Sequence, residues 1–345
     1  MRFRSPAHHP GVTSRLGTWL GITFGLCFVT GLLSHGVQHD WAWPTRPVDL
    51  YRVTQGVHVI SGVASIPLLL AKLWSVYPKL FERPLVKSVP HALERGSILV
   101  LVAASFFELV TGLFNAAQNY PWSFYFPTAH YAVAWIVTGA LLVHIAVKIP
   151  VIRRSLEPAS PDQPLLSRRA FLRTTALTTG VAVVATAGVT VPWLRKISVL
   201  AWRSDGALPV NRTAQAAGIV VPPDWRLRAG ARSYSLAELQ AMPQTTVELP
   251  IACVEGWSQT ATWTGVRVSE LVSGGDVRVS SLEENGLYRA STLPEAFARD
   301  PLTLLALRLD GEELSPDHGY PCRLIAPNRP GVLQTKWVTS LEVMG

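Results

Sequence analysis

His130 and His144 stand fourteen residues apart in one apolar stretch, TAHYAVAWIVTGALLVHIAVK. Fourteen residues of helix make nearly four turns, so both imidazoles share a face and lie about 21 Å apart along the axis. Histidine is the usual axial ligand of a b-type haem, and an ionisable ring inside a membrane span points to function. The spacing suits two haems, one near each surface of a bilayer. Partners occur at matching depths, His58 in QGVHV and His91 in PHALER. The expected pairs are therefore His58 with His130 and His91 with His144, with His35 in TGLLSH as a reserve ligand or quinone-site residue. Against this stands a bundle in which the same rings only hydrogen-bond to neighbours. Glu108, in the third apolar run, is costly to leave unpaired in lipid, so it serves a proton, a quinone or a partner within the bundle.

The C-terminal half offers different chemistry. Cys253 ends a strand-like run, IAC, and is followed by a turn containing Gly256. A thiolate there is a nucleophile, a ligand for a metal held mainly by other soft ligands, or an inert buried thiol. His318 is the only histidine of this half, which gives a Cys–His hydrolase little to build on. The remaining cysteines, Cys27 and Cys322, form no CxxC or CxxCH with it, which argues against Fe–S clusters, structural zinc and covalent c-type haem. No GxGxxG or GxxxxGK occurs either, so no nucleotide fold is indicated.

Two kinds of element must position these residues. With 48% apolar and only 16% charged residues the chain is too apolar for one soluble globule. Five runs, at about 16–35, 53–74, 95–116, 128–149 and 174–193, are long enough to span a bilayer. Residues 1–173 carry 16 Lys/Arg against 7 Asp/Glu, and the rest of the chain carries 15 against 16. The excess collects in the loops after spans 2 and 4 (Lys72, Lys79, Arg83, Lys87, Arg95; Lys148, Arg153, Arg154, Arg168, Arg169, Arg173), so topology explains it better than nucleic acid does. The N-terminus is then cytoplasmic and everything after span 5 extracytoplasmic, a multi-pass protein of the cell membrane. From about residue 203 the pattern turns to short alternating runs broken by Gly and Pro (RLRAG, TTVELPIAC, WTGVRVSELV, GLYRAS, LTLLALRLDG, CRLIAP, WVTSLEVMG), with short helices expected at 235–242 and 293–298.

The motifs TGLLSH, QGVHV, PHALER, TAHY and LLVHIAVK, over residues 12–155, resemble the four-helix di-haem cytochrome b subunits of membrane oxidoreductases. Such subunits pass electrons between a quinone and an attached redox partner. SRRAFLRTT before an Ala/Thr/Gly-rich span is similar to a twin-arginine export signal, which would carry a folded, cofactor-loaded domain across the membrane. IACVEGWSQTATWTGVRVSELV together with LIAPNRPGVLQTKWVTSLEV resembles the molybdopterin-binding domain of the sulfite oxidase superfamily, nearest to the periplasmic methionine sulfoxide reductase type with its Cys-Val-Glu-x-Trp-Ser segment. That resemblance makes Cys253 the thiolate on molybdenum and puts Trp257 and Ser258 in the cofactor pocket. It gives Arg323 and Lys336 to the pterin and its phosphate, Asn211 and Arg212 to the same cofactor, and Tyr288 to the face opposite the metal, as a second catalytic residue beside Cys253.

The expected organisation is a membrane all-α helical bundle (1–155), a linker with the twin-arginine-like motif and fifth span (156–200), and a mixed α+β molybdopterin domain (201–345). The expected function is a molybdenum-molybdopterin oxidoreductase exchanging electrons between quinone or quinol, one or two b-type haems and a small substrate, by oxygen-atom transfer in the reduction of an S-oxide or N-oxide. An additional redox protein is a further partner. Flow in the opposite direction, or a non-catalytic electron relay, are the alternatives. Sulfite oxidases place an arginine close before the cysteine, and this chain has Ile251 and Ala252 there, which counts against sulfite as substrate.

Overall fold

In hydrocarbon a single segment satisfies its own amides only as a helix. Each apolar run accordingly forms one: α1 (Pro10–Gln38), α2 (Leu50–Leu80), α3 (Val89–Ala116), α4 (Phe126–Leu156) and α5 (Leu165–Ala187). The structure is a computed structural model, and it describes residues 6–84, 87–156, 165–201, 208–287 and 289–344. All five helices are long and apolar enough to cross a membrane. The first four overrun their apolar runs, since polar residues at the ends continue the backbone ladder into water. The fifth stops at Ala187, short of the expected residue 193. Ser198 Oγ accepts from Gly188 N (2.9 Å) and donates to Val184 O (2.6 Å), so the chain folds back over the helix end. Any side chain at 188 would stand 2.6 Å from Ser198 Cβ, which is why glycine ends the helix.

The chain divides into two compact units, Met1–Leu32 with Gly56–Trp202, and Leu33–Gln55 with Arg203–Gly345. In the first, large apolar side chains such as Leu99, Leu142 and Leu177 are exposed, 63–70% each, on the helix exteriors. Small polar residues knit the interior, as is common where water is absent. Thr13 Oγ1 donates to Ser75 Oγ (3.0 Å), Ser65 Oγ to Thr23 Oγ1 (2.8 Å), and Lys72 Nζ to Thr13 O (2.8 Å).

The second unit holds two five-stranded sheets. One has the order β2 (Arg232–Ser235), β1 (Arg226–Ala229), β10 (Val338–Val343), β5 (Val277–Ser281), β6 (Ala290–Leu293), with β1 and β10 parallel. The other runs β3 (Thr245–Ala252), β4 (Ser258–Arg267), β7 (Leu304–Leu309), β8 (Glu312–Glu313), with β9 (Arg323–Ile325) also on β7. Short helices α6 (Leu236–Ala241), α7 (Val268–Leu271) and α8 (Glu295–Ala298) complete the mixed α+β architecture. The alternating runs bury Leu227, Val266, Val279, Leu293, Leu324 and Leu341 in one core. The run WTGVRVSELV is strand only to Arg267, where the chain turns into α7. The parallel β1–β10 contact brings the last strand of the domain beside its first, and no local pattern announces it.

Residues 33–55, expected to belong with the helices, group instead with the sheets. The reason is a set of side-chain bonds described below.

Candidate functional site

Strands β3 and β4 pair from Thr245↔Gly265 to Ala252↔Ser258, and the hairpin closes through residues 253–257. Cys253 N donates to Trp257 O (2.9 Å) and Gly256 N to Cys253 O (3.0 Å). Gly256 takes φ 92, a conformation glycine adopts without Cβ cost. Glu255 Oε2 accepts from Trp257 Nε1 (3.0 Å) and from Cys253 Sγ (3.6 Å), and Cys253 is 2% exposed. Opposite, Pro330 bridges to Ala252, and the next residue is Gly331. A Cβ there would meet Ile251 Cγ2 at 3.1 Å and Ala252 O at 3.4 Å, so the glycine lets the two loops close on the cysteine.

Cys253 and Trp257 line one cleft with Asn211, His318, Arg323 and Lys336. Arg323, on β9, is buried; its NH1 donates to His318 O (3.3 Å) and its guanidinium lies 5.5 Å from the centre of the Trp263 ring. Its Nε is buried without a hydrogen-bond partner. Burial pushes its pKa down to about 10, against the opposite pull of Cys253. Lys336, two residues before β10, donates to Arg212 O (2.6 Å) and Asp317 O (3.0 Å) and stands 4.5 Å from the Trp337 ring centre. Burial, and then Arg323, push it down to about 7. Two cations held at a cost in desolvation, one with an orphaned N–H, beside a single soft sulfur, are the donor set for an anionic group that carries a soft metal.

Residues 215–345 match the family described as the oxidoreductase molybdopterin binding domain. The C-terminal unit is built on a molybdopterin-binding oxidoreductase domain. The chain is also 31% identical over 114 residues to a protein of Azospira oryzae named as the protein-methionine-sulfoxide reductase subunit YedZ1, covering 32% of this chain and 44% of that protein. It is 52% identical over 40 residues to the NADPH nitrate reductase of Mycosarcoma maydis, 12% of this chain and 4% of the enzyme. Among solved structures, the sulfane dehydrogenase SoxCD of Paracoccus pantotrophus aligns over 36% of this chain and 39% of that one, at 22% identity and a TM-score of 0.32. The chain spans less than half the length of each of these proteins.

The molybdopterin-binding domain gathers most of the residues singled out from sequence, though not all in the same way. Asn211, Cys253, Trp257, Arg323 and Lys336 meet in the cleft. Arg212 reaches it through its carbonyl only, because its guanidinium pairs with Glu283 (2.7 Å). Ser258 is buried at the start of β4 opposite Ala252. Tyr288 lies outside the described residues. Cys322 is a fully buried thiol whose pKa burial raises, and none of the three cysteines forms a disulfide. Ile251, noted from sequence as standing where an arginine would hold sulfite, does line the cleft, whereas sequence reasoning did not place Asp317 and His318 there. The signal available was their spacing, six and five residues before Arg323.

The Lys336 shift has a measurable consequence. Its folded value lies below the ordinary 10.5, so between about 7 and 10.5 the unfolded chain binds a proton that the folded domain does not. Stability of the cofactor-free domain therefore rises with pH across that window. Thermal unfolding of cofactor-free chain at pH 7 and 9 should show the gain, and Lys336→Met should flatten it.

In the helical unit, His58 and His130 come together, ring centres 6.3 Å apart at 71°. Rings at about this separation would suit a single metal ion held between them, given metal–nitrogen bonds of about 2 Å. His58 Nδ1 bonds Cys27 O (2.9 Å), which leaves Nε2 as the ring nitrogen that could ligate a metal. A side chain at Gly31 would meet the His58 ring at 3.0 Å, so the glycine makes room for it. His130 has Thr111 Oγ1 at Nδ1 (3.2 Å) and Glu108 Oε2 at Nε2 (3.1 Å), so one of these would have to give way for His130 to bind a metal. His91 has local partners, Lys87 N donating to Nδ1 (3.2 Å) and Arg95 Nε at 3.3 Å from Nε2. His144 lies in the field of Lys72, Lys148 and Glu94, the last two joined as an ion pair. His35 stacks on His39, ring centres 4.0 Å apart, in the other unit.

Proposed function

We propose that this chain is a membrane-bound molybdenum oxidoreductase that reduces an S-oxide, or an N-oxide, with electrons from quinol, so that R2SO and a quinol yield R2S, water and a quinone. The observation that carries the reading is the convergence of Cys253, Arg323 and Lys336 on one cleft of the molybdopterin-binding domain. Similarity to a methionine sulfoxide reductase subunit supports the substrate class. A bound molybdenum–pterin group supplies two-electron oxygen-atom transfer, and the chain's own residues supply its seat. Cys253 presents a soft sulfur at a fixed position, because the turn holds its backbone at both N–H and C=O. Arg323 and Lys336 would hold the anionic end through charge-assisted bonds, with Asn211 and Trp257 lining the same cleft. Ile251, buried beside Cys253, gives the cleft an apolar wall where an anionic substrate would need a cation. A neutral oxide fits that wall better than sulfite.

In this reading His58 with His130 and His91 with His144 hold two b-type haems, and quinol meets the helical unit. The N-terminus is cytoplasmic, the segment around Arg168 and Arg169 serves twin-arginine export, and residues 201–345 lie outside. Metal and haem content of the detergent-purified chain tests it. About one molybdenum and two haems per chain are expected; haem without molybdenum, from cells able to make the cofactor, would sink the enzyme and leave an electron carrier.

A further inference from the structure

The segment Leu33–Gln55, at the α1–α2 junction, makes more specific contacts with the molybdopterin-binding domain than a passing loop needs. Asn328, 2% exposed, is its main anchor. Asn328 Oδ1 accepts from Tyr51 N (2.6 Å), its Nδ2 donates to Pro44 O (2.7 Å), and its carbonyl accepts from Trp43 Nε1 (3.0 Å). Trp43 also packs against the domain's hydrophobic core. Arg46 grips Asp300 with both terminal nitrogens, at 2.7 and 3.0 Å. Arg52 donates to Thr260 Oγ1 (3.2 Å) on β4, and Gln55 Nε2 donates to Val254 O (3.3 Å). Asp40 offsets part of the cost of burying Arg329, which burial pushes down to about 10.

Two of these contacts lead to one place. Val254 is the residue after Cys253, in the turn itself. Asn328 begins the short stretch to Pro330 and Gly331, which close on Ala252 and Cys253 from the other side. Gln55 is buried at 5% exposure, as expected of a fixed strut and not of a surface side chain. We propose that Leu33–Gln55 is a working part of the molybdopterin-binding domain, a strap whose residues Gln55 and Asn328's partners fix the Cys253 turn. Gln55 and Arg46 are positioning residues; neither lines the cleft. Its importance for catalysis rests on the reading of Cys253 given above, whereas the strap itself does not.

Amide hydrogen exchange on the full chain in detergent tests this, with Gln55→Leu and Arg46→Glu chosen because both alter the strap and leave the sheets intact. The peptide covering 251–258 should exchange about tenfold faster in each variant, while that covering Val277–Ser281 keeps its wild-type rate. Wild-type exchange at 251–258 in both variants would overturn the strap, and so would equal acceleration throughout the domain, which would mean general loosening. Molybdenum content is measured on the same samples. A wild-type chain without molybdenum would sink the assignment of the cleft and leave the exchange result to decide the strap alone.

Discussion

Cys253→Ser should lower S-oxide turnover by at least roughly a thousandfold, about 4 kcal/mol of transition-state stabilisation. On the proposed reading the substitution removes one soft ligand atom and little else. Cys253 is 2% exposed, its N–H and C=O are both bonded within the turn, and serine has nearly the same volume. The hairpin should therefore survive, with a midpoint of unfolding close to that of the parent. A hydroxyl is a poor partner for a soft centre and stays protonated where a thiol ionises. On the proposed reading other groups, Arg323 and Lys336 among them, would still hold the pterin, so molybdenum content should fall by less than activity does. Turnover, metal analysis and the electron paramagnetic resonance signature of the half-reduced sample are measured together. Parental turnover and an unchanged signature in the serine variant would remove Cys253 from the reaction.

Loss of one haem is the second large effect. His58→Ala and His130→Ala should each remove about half of the b-type haem absorbance per chain and cut quinol-driven turnover at least a hundredfold. Turnover driven by a small dye that reduces the molybdenum domain directly should persist. Both rings belong to one pair with centres 6.3 Å apart, so either substitution should have the same result. His91→Ala should take the other half. A pyridine haemochrome assay reads all three. Full haem content in His58→Ala and His130→Ala would leave the two rings as packing groups, with Glu108 as the partner of His130.

The histidine pair was legible because helices obey a simple count: residues 58 and 130 are placed by depth from the ends of their spans, and a bundle has few ways to oppose them. How Arg212 faces the cleft was not legible, since a sequence match cannot say whether a guanidinium or a carbonyl faces a site. Here Glu283, more than seventy residues away along the chain, takes the charge. His318 and Asp317 were not placed at the cleft for a related reason: their spacing before Arg323 hints at it, but only the fold brings their turn beside the Cys253 loop.

By itself the sequence determined five helices, a β-rich domain after them, and the cysteine and basic residues of the cleft. Apolar run length and strand alternation are local, and both follow from where backbone amides find partners. Tertiary structure alone decided that residues 33–55 belong with the sheets. That outcome depends on Asn328, Asp300, Thr260 and Val254 meeting a loop some two hundred or more residues earlier in the chain. Such bonds leave no periodicity behind. Their partners are ordinary polar residues whose significance exists only once the sheets have folded around them.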